Sequence, residues 1–225
     1  MTDPLPRIRP AIWWPARLLV GGFFRGPLRM TRVGRERLPR SGGVLIVSNH
    51  VSYRDPPAVG AAALPRPVRF MAKSELFRVG VFGRLISGLG AFRVVRGTPD
   101  RDAIRMARAL LAAGECVVMF PEGTRSPNGR LRPGFPGSGA LALEPGISVI
   151  PAAVWGTQRR FGPVRVVFGE PLDLSDLAGA GGARGVRAQE ATRRIMAAIA
   201  ALLPQAGGPV QDPPEGVPAL PVRSR

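Results

Sequence analysis

The 225-residue sequence predicts an α/β fold: a single domain with a largely parallel sheet flanked by helices, preceded by an amphipathic N-terminal segment. Short apolar runs rich in β-branched residues recur at 44–47, 68–72, 92–95, 117–120, 149–154 and 164–168. They are continuous and not alternating, as strands covered on both faces are. Helical stretches separate them, and strand–helix alternation is the pattern of a parallel sheet with crossover helices. With 45% hydrophobic and 21% charged residues, the chain can build one sizeable core and falls short of two.

Residues 1–40 carry nine Arg against Asp3 and Glu36, a local net charge of 9 − 2 = +7, mixed with Trp13, Trp14, Leu18, Leu19, Phe23 and Phe24. Paired indoles suit a lipid headgroup boundary, and arginines beside them favour an anionic membrane surface. The same rings can equally pack on the domain. The apolar run 18–24 is far below the roughly 20 residues needed to cross a bilayer and is flanked by Arg17 and Arg25. It lacks a small-residue cleavage site, so the expected location is peripheral, on the cytoplasmic face of the membrane.

Within the domain, Asp100 can cap a helix whose Ala103, Ile104, Ala107, Leu110 and Leu111 recur at spacings of three and four before Gly114. A last helix is expected over 184–203. Beyond it lie six Pro and three Gly in 22 residues, too little to build a core. The expected organisation is therefore a basic interfacial segment 1–33, a domain 34–203 and a disordered Pro/Gly-rich tail 204–225.

Lys and Arg number 32 against 15 Asp and Glu, a formal net charge of +17, so the partner should be anionic: nucleic acid, membrane or a phosphorylated substrate. All but Lys73 of the basic residues are arginine, whose planar fork holds phosphate bidentately. Aromatic residues make up 6% without regular interleaving, which argues against a surface stacking single-stranded nucleic acid, and none is expected as partner. A single cysteine, Cys116, and a single histidine, His50, exclude an intrachain disulfide and a structural zinc site.

Three clusters carry chemistry. The first strand runs into Ser48, Asn49, His50, Val51, Ser52, Tyr53, Arg54, Asp55 and Pro56, at the carboxyl end where open α/β sheets bind ligands. Asp55 before Pro56 is a good helix cap; it can also reach back to the imidazole, fix its tautomer and make His50 a general base. In the second cluster, Phe92, Val94 and Arg96 share one strand face, with Arg96 emerging past the strand end. The third is Phe120, Pro121, Glu122, Gly123, Thr124, Arg125 and Ser126. Gly123 allows positive φ, Thr124 and Ser126 supply donors and Arg125 a fork, together a phosphate cradle. Glu122 fits a role accepting from a substrate hydroxyl or holding neighbouring arginines. The loop differs from a Gly-rich Lys-Ser/Thr nucleotide loop.

Asn49-His50 with Asp55 five residues on, the Gly90-x-Phe92-x-Val94-x-Arg96 strand, the 120–126 loop and Val149-Ile150-Pro151 occur in the order and spacing of the glycerolipid acyltransferases. The sequence resembles that family over about 34–169, chiefly the 1-acyl-sn-glycerol-3-phosphate acyltransferases. The resemblance implies a glycerol-3-phosphate acyltransferase-like fold and direct acyl transfer, with no acyl-enzyme and no cofactor. The donor would be acyl-CoA or acyl carrier protein, and the acceptor a lysophospholipid hydroxyl. It also implies His50 and Asp55 as catalytic residues and Asn49, Arg96, Glu122, Gly123, Thr124 and Arg125 as substrate-binding ones. Pro151 would lie on the acyl-donor side. Two positions depart from many relatives: Phe135 where a Lys is common, with Arg130 or Arg132 to compensate, and Val95 where the residue is often acidic. Another lysolipid or glycolipid hydroxyl is an alternative acceptor. A non-catalytic basic protein binding membrane or nucleic acid is the alternative outside the enzymes.

Overall fold

The computed structural model describes residues 5–94, 100–178 and 181–216. In chain order the elements are α1 (Pro10–Arg25), β1 (Thr31–Val33), β2 (Val44–Ser48), α2 (Asp55–Ala63), β3 (Val68–Lys73), α3 (Gly80–Gly88), β4 (Phe92–Val94) and α4 (Arg101–Ala112). They continue with β5 (Cys116–Met119), α5 (Pro136–Ala142), β6 (Ser148–Trp155), β7 (Arg165–Phe168), α6 (Ser175–Ala178) and α7 (Arg184–Ala206). Among the described residues the strands form one seven-stranded sheet, ordered β1-β7-β6-β2-β5-β3-β4. Neighbours run parallel except the β6–β7 pair.

The continuous apolar runs follow from this layering. Successive side chains of a strand point to opposite faces, and here both faces are covered. Val44 and Ile46 of β2 and Val118 of β5 pack with Phe24, Leu28, Ala58, Val59 and Ala62 on the α1/α2 side. Leu45, Val47, Val117 and Met119 face Leu110, Leu111, Leu141, Ile195 and Ile199 on the α4/α5/α7 side. The Asp100 carboxylate accepts from the Ala103 N–H at 2.9 Å, capping α4 as its sequence predicts.

Two element boundaries differ from the sequence reading. Residues 31–33, expected in the N-terminal segment, form an edge strand paired with β7; three exposed residues carry no apolar signal of their own. The strand expected over 92–95 is described over Phe92–Val94, and Val95 lies outside the described residues. Helix α7 continues through Pro204 to Ala206, because Leu202, Leu203 and Ala206 still bury against Ala153 and Val167. Part of the expected disordered tail is also tied to the domain, since the Gln211 side-chain carbonyl accepts from the Leu131 N–H at 2.9 Å.

Helices α5 and α7 approach closely at Gly139, where a Cβ would collide with the Ala188 carbonyl. Gly139→Ala is therefore expected to destabilise by about 1–3 kcal/mol through overpacking. That corresponds to a fall in melting temperature of roughly 2 to 12 °C, checked by calorimetry.

Candidate active site

β6, β2 and β5 are adjacent and parallel, so their carboxyl ends deliver three loops to one place. After β2 the backbone leaves the sheet, and the Asn49 side chain takes over the pairing. Its amide donates to the Val154 carbonyl at 2.9 Å and accepts from the Val154 N–H at 2.8 Å. His50 then stands at the sheet's edge, 4% exposed, with its ring stacked on Phe120 at 4.3 Å between centroids. Its Nδ1 lies 2.8 Å from Asp55 Oδ2. A carboxylate accepts, so Nδ1 carries the hydrogen and Nε2 keeps a lone pair, the tautomer a general base needs.

Asp55 is the first residue of α2 and is fully buried. Its carboxylate does not cap that helix; it turns back to accept from the Val51 and Ser52 N–H groups, both at 2.7 Å. The Thr157 hydroxyl, delivered by the loop after β6, donates to its other oxygen. Thr157 was not legible as a site residue. The cue was positional, since it follows a neighbouring strand's carboxyl end.

The loop after β5 braces this turn. Glu122 accepts from the His50 N–H at 2.8 Å and from the Arg132 N–H at 3.0 Å. Ser126 donates its N–H to the His50 carbonyl at 2.7 Å. Gly123 adopts φ +65°, and the Phe135 ring occupies the space a Cβ would need. The Arg125 guanidinium lies over the Tyr53 ring, 3.5 Å from its centroid, and its buried Nε has no partner among the described residues.

A family model described as "Acyltransferase" matches residues 29–155. The chain belongs to the acyltransferase family. A 1-acyl-sn-glycerol-3-phosphate acyltransferase of Bacillus subtilis is 32% identical over 150 residues, covering 64% of this chain and 74% of the relative. A lyso-ornithine lipid O-acyltransferase of Pseudomonas aeruginosa is 36% identical over 143 residues, 63% of this chain and 52% of the relative, so the chain spans about half of that protein. The crystal structure of a 1-acyl-sn-glycerophosphate acyltransferase from Thermotoga maritima superposes with a TM-score of 0.60. It is 24% identical and covers 82% of this chain and 85% of that one, a likeness of fold.

In this acyltransferase, His50 sits on the loop after β2, Asp55 at the start of α2, and Gly123, Thr124 and Arg125 on the loop after β5, while Arg96 lies outside the described residues. Three of the expected substrate-binding residues are engaged with protein partners. Asn49 is 1% exposed and paired at both its carbonyl and its amide with Val154, a strand brace. Glu122 is 2% exposed with both oxygens on backbone amides, so it positions His50, and among the described residues it holds the backbone of Arg132 but no guanidinium. Pro151 is buried within β6, opposite Val47, with its carbonyl accepting from the Gly169 N–H at 2.8 Å. The Ser126 hydroxyl is likewise engaged, donating to the Asn128 side chain at 3.0 Å. Cys116 is buried at the start of β5, where burial pushes its thiol up to about 12.

His50→Ala and Asp55→Asn are each expected to lower turnover by roughly 100- to 10,000-fold, the range of a lost general base. Steady-state kinetics beside a thermal melt checks that His50→Ala still folds.

Burial pushes Glu122 up to about 7, against the backbone N–H groups of His50 and Arg132, which pull it down. The folded state thus holds this proton more tightly than the unfolded chain. Its favourable contribution is present below an ordinary glutamate pKa and is lost as pH rises from about 4.5 to about 7. Relative to Glu122→Gln, the wild type should lose stability across that window, while its activity rises as the ionised carboxylate accepts both amides. Urea melts of both proteins at pH 4.5 and 7.5 measure this; a constant difference would exclude it.

Proposed function

We propose that the protein transfers a fatty acyl group from a thioester, acyl-CoA or acyl carrier protein, to the free hydroxyl of 1-acyl-sn-glycerol-3-phosphate, giving phosphatidic acid. The observation that carries the reading is the buried His50–Asp55 pair in a chain of the acyltransferase family. His50 Nε2 takes the acceptor hydroxyl's proton as that oxygen attacks the thioester carbonyl. The C–S bond then breaks, and the imidazolium returns the proton to the leaving thiolate. One ester forms and one free thiol is released, with no cofactor. Asp55 holds Nδ1–H and stabilises the imidazolium during the transfer. Transfer is direct, with no acyl-enzyme, as the resemblance to the glycerolipid acyltransferases implies.

Arg125, laid on Tyr53, is the acceptor's phosphate ligand, joined by Arg96 and the Thr124 hydroxyl. A guanidinium held flat on a ring keeps its fork oriented, so less freedom is lost on binding. The acceptor is a lipid, and the protein meets it at the cytoplasmic face of the membrane without spanning it. No helix among the described residues is long and apolar enough to cross. Helix α1 supplies a contact: Trp14, Leu18, Leu19 and Phe23 are exposed along one side while Gly21 and Phe24 are buried. Phe24 and Leu28 belong to the core, so point changes in α1 are a cleaner test than deletion.

A second reading is favoured by the 36% identity to a lyso-ornithine lipid acyltransferase, whose named substrate class carries no phosphate. Incubation with acyl-CoA and a panel of lysolipids, followed by mass spectrometry, separates the two. For a phosphate-bearing acceptor, Arg125→Ala should raise acceptor KM by about 10- to 100-fold, as loss of a charged hydrogen bond does. Tyr53→Ala should raise it by about 2- to 5-fold and Tyr53→Phe hardly at all. Turnover confined to lyso-ornithine lipid, with KM indifferent to Arg125, would overturn the assignment.

A further inference from the structure

Helix α3 carries an apolar surface that the fold leaves uncovered. Val79 is 55% exposed, Val81 82%, Phe82 45% and Leu85 39%. It lies against the helix whose exposed stripe was described above. The Arg9 N–H donates to the Gly88 carbonyl at 2.8 Å, and Gly88 leaves no room for a Cβ beside the Ile12 side chain.

Both surfaces reach the level of the active site. Helix α3 starts just beyond the carboxyl end of β3, which runs parallel with β5 and β2. Helix α1 leads into β1, whose first residue pairs with Arg165, itself opposite Trp155 at the carboxyl end of β6. The end of α1 with Leu19 and Phe23 and the end of α3 with Val81 and Phe82 therefore lie on the sheet edge from which His50 projects.

Ion pairing of the helix arginines differs between this face and the α4–α7 side. On the far side, Arg108, Arg184, Arg193 and Arg194 are paired with Glu144, Glu190 and Asp176. Around α1 and α3, Arg25, Arg78 and Arg84 are exposed without ion pairs among the described residues, and Arg17 stacks over Trp13 and Trp14. Glu75 is the one carboxylate on the described residues of α1, the 74–78 turn and α3.

Resting on the proposed lipid acceptor, we infer that α3 is a second membrane contact, which with α1 seats the mouth of the active site on an anionic bilayer. Uncompensated arginines rimming apolar side chains match anionic headgroups over acyl chains. Contact along two helices fixes the orientation of the domain, which one helix leaves free to roll. A lysolipid can then reach His50 with its acyl chain still in the bilayer.

Cys116 is buried, so a new surface thiol can be labelled selectively. Val81→Cys, Leu18→Cys and, on α7, Val186→Cys are each given a polarity-sensitive fluorophore and mixed with vesicles of phosphatidylglycerol and phosphatidylcholine. The labels at 81 and 18 should shift to the blue while the label at 186, also 65% exposed, stays in water. The double substitution Val81→Asp with Phe82→Asp should reduce vesicle pelleting by about tenfold, with an unchanged melting temperature. Raised salt should weaken binding. A label at 81 that stays wet while 18 shifts would overturn the role of α3, as would pelleting indifferent to the double change. Equal shifts at 81 and 186 would mean unoriented adsorption and also overturn it. Wild-type turnover on a water-soluble short-chain lysophosphatidate, measured apart from vesicles, reports on the catalytic reading alone.

Discussion

A single carboxylate organises the catalytic end of this molecule. Asp55 accepts from the His50 imidazole, from two consecutive backbone N–H groups and from the Thr157 hydroxyl, in a site with no solvent exposure. A buried anion is tolerable only when its lone pairs are taken, and here four donors from two loops take them. The same contacts fold the 50–55 turn, tie it to the end of β6 and set the imidazole tautomer. Chemistry and local structure share one interaction, so neither can be changed without the other.

Glu122 shows the other side of that arrangement. It holds the histidine in place from the backbone, at the expense of keeping a second carboxylate out of water close to the first, and burial raises its proton affinity accordingly. The site is therefore pre-organised in part by a carboxylate whose ionisation does not favour the folded state. The Ser126 N–H and the Asn49 amide complete the frame through the His50 and Val154 carbonyls.

The surface follows the same division of labour. On the α4–α7 side Arg108, Arg184, Arg193 and Arg194 are paired with acidic residues, whereas Arg25, Arg78 and Arg84 beside α1 and α3 are exposed without ion pairs among the described residues. Unpaired arginines next to exposed apolar side chains are the combination a lipid–water boundary accepts and bulk water does not.

The alternation of apolar strands and amphipathic helices was legible in the sequence because burial on both faces leaves a continuous run and burial on one leaves a 3.6-residue period. His50, Asp55 and the 120–126 loop were legible too, since a lone imidazole with a nearby carboxylate at a strand's end, and a Pro-Glu-Gly turn after another, are local patterns. β1 was not, because an exposed three-residue edge strand is defined by its neighbour β7 and not by its own residues. Nor were the roles of Asn49, Glu122 and Thr157. A polar side chain's partner is chosen by which strands lie side by side, and the order β6-β2-β5 joins residues about 70 to 100 positions apart, as in His50 with Glu122 and Asp55 with Thr157. Residue type determined what these groups could donate or accept; only the tertiary fold decided whether a strand, a histidine or a substrate would receive it.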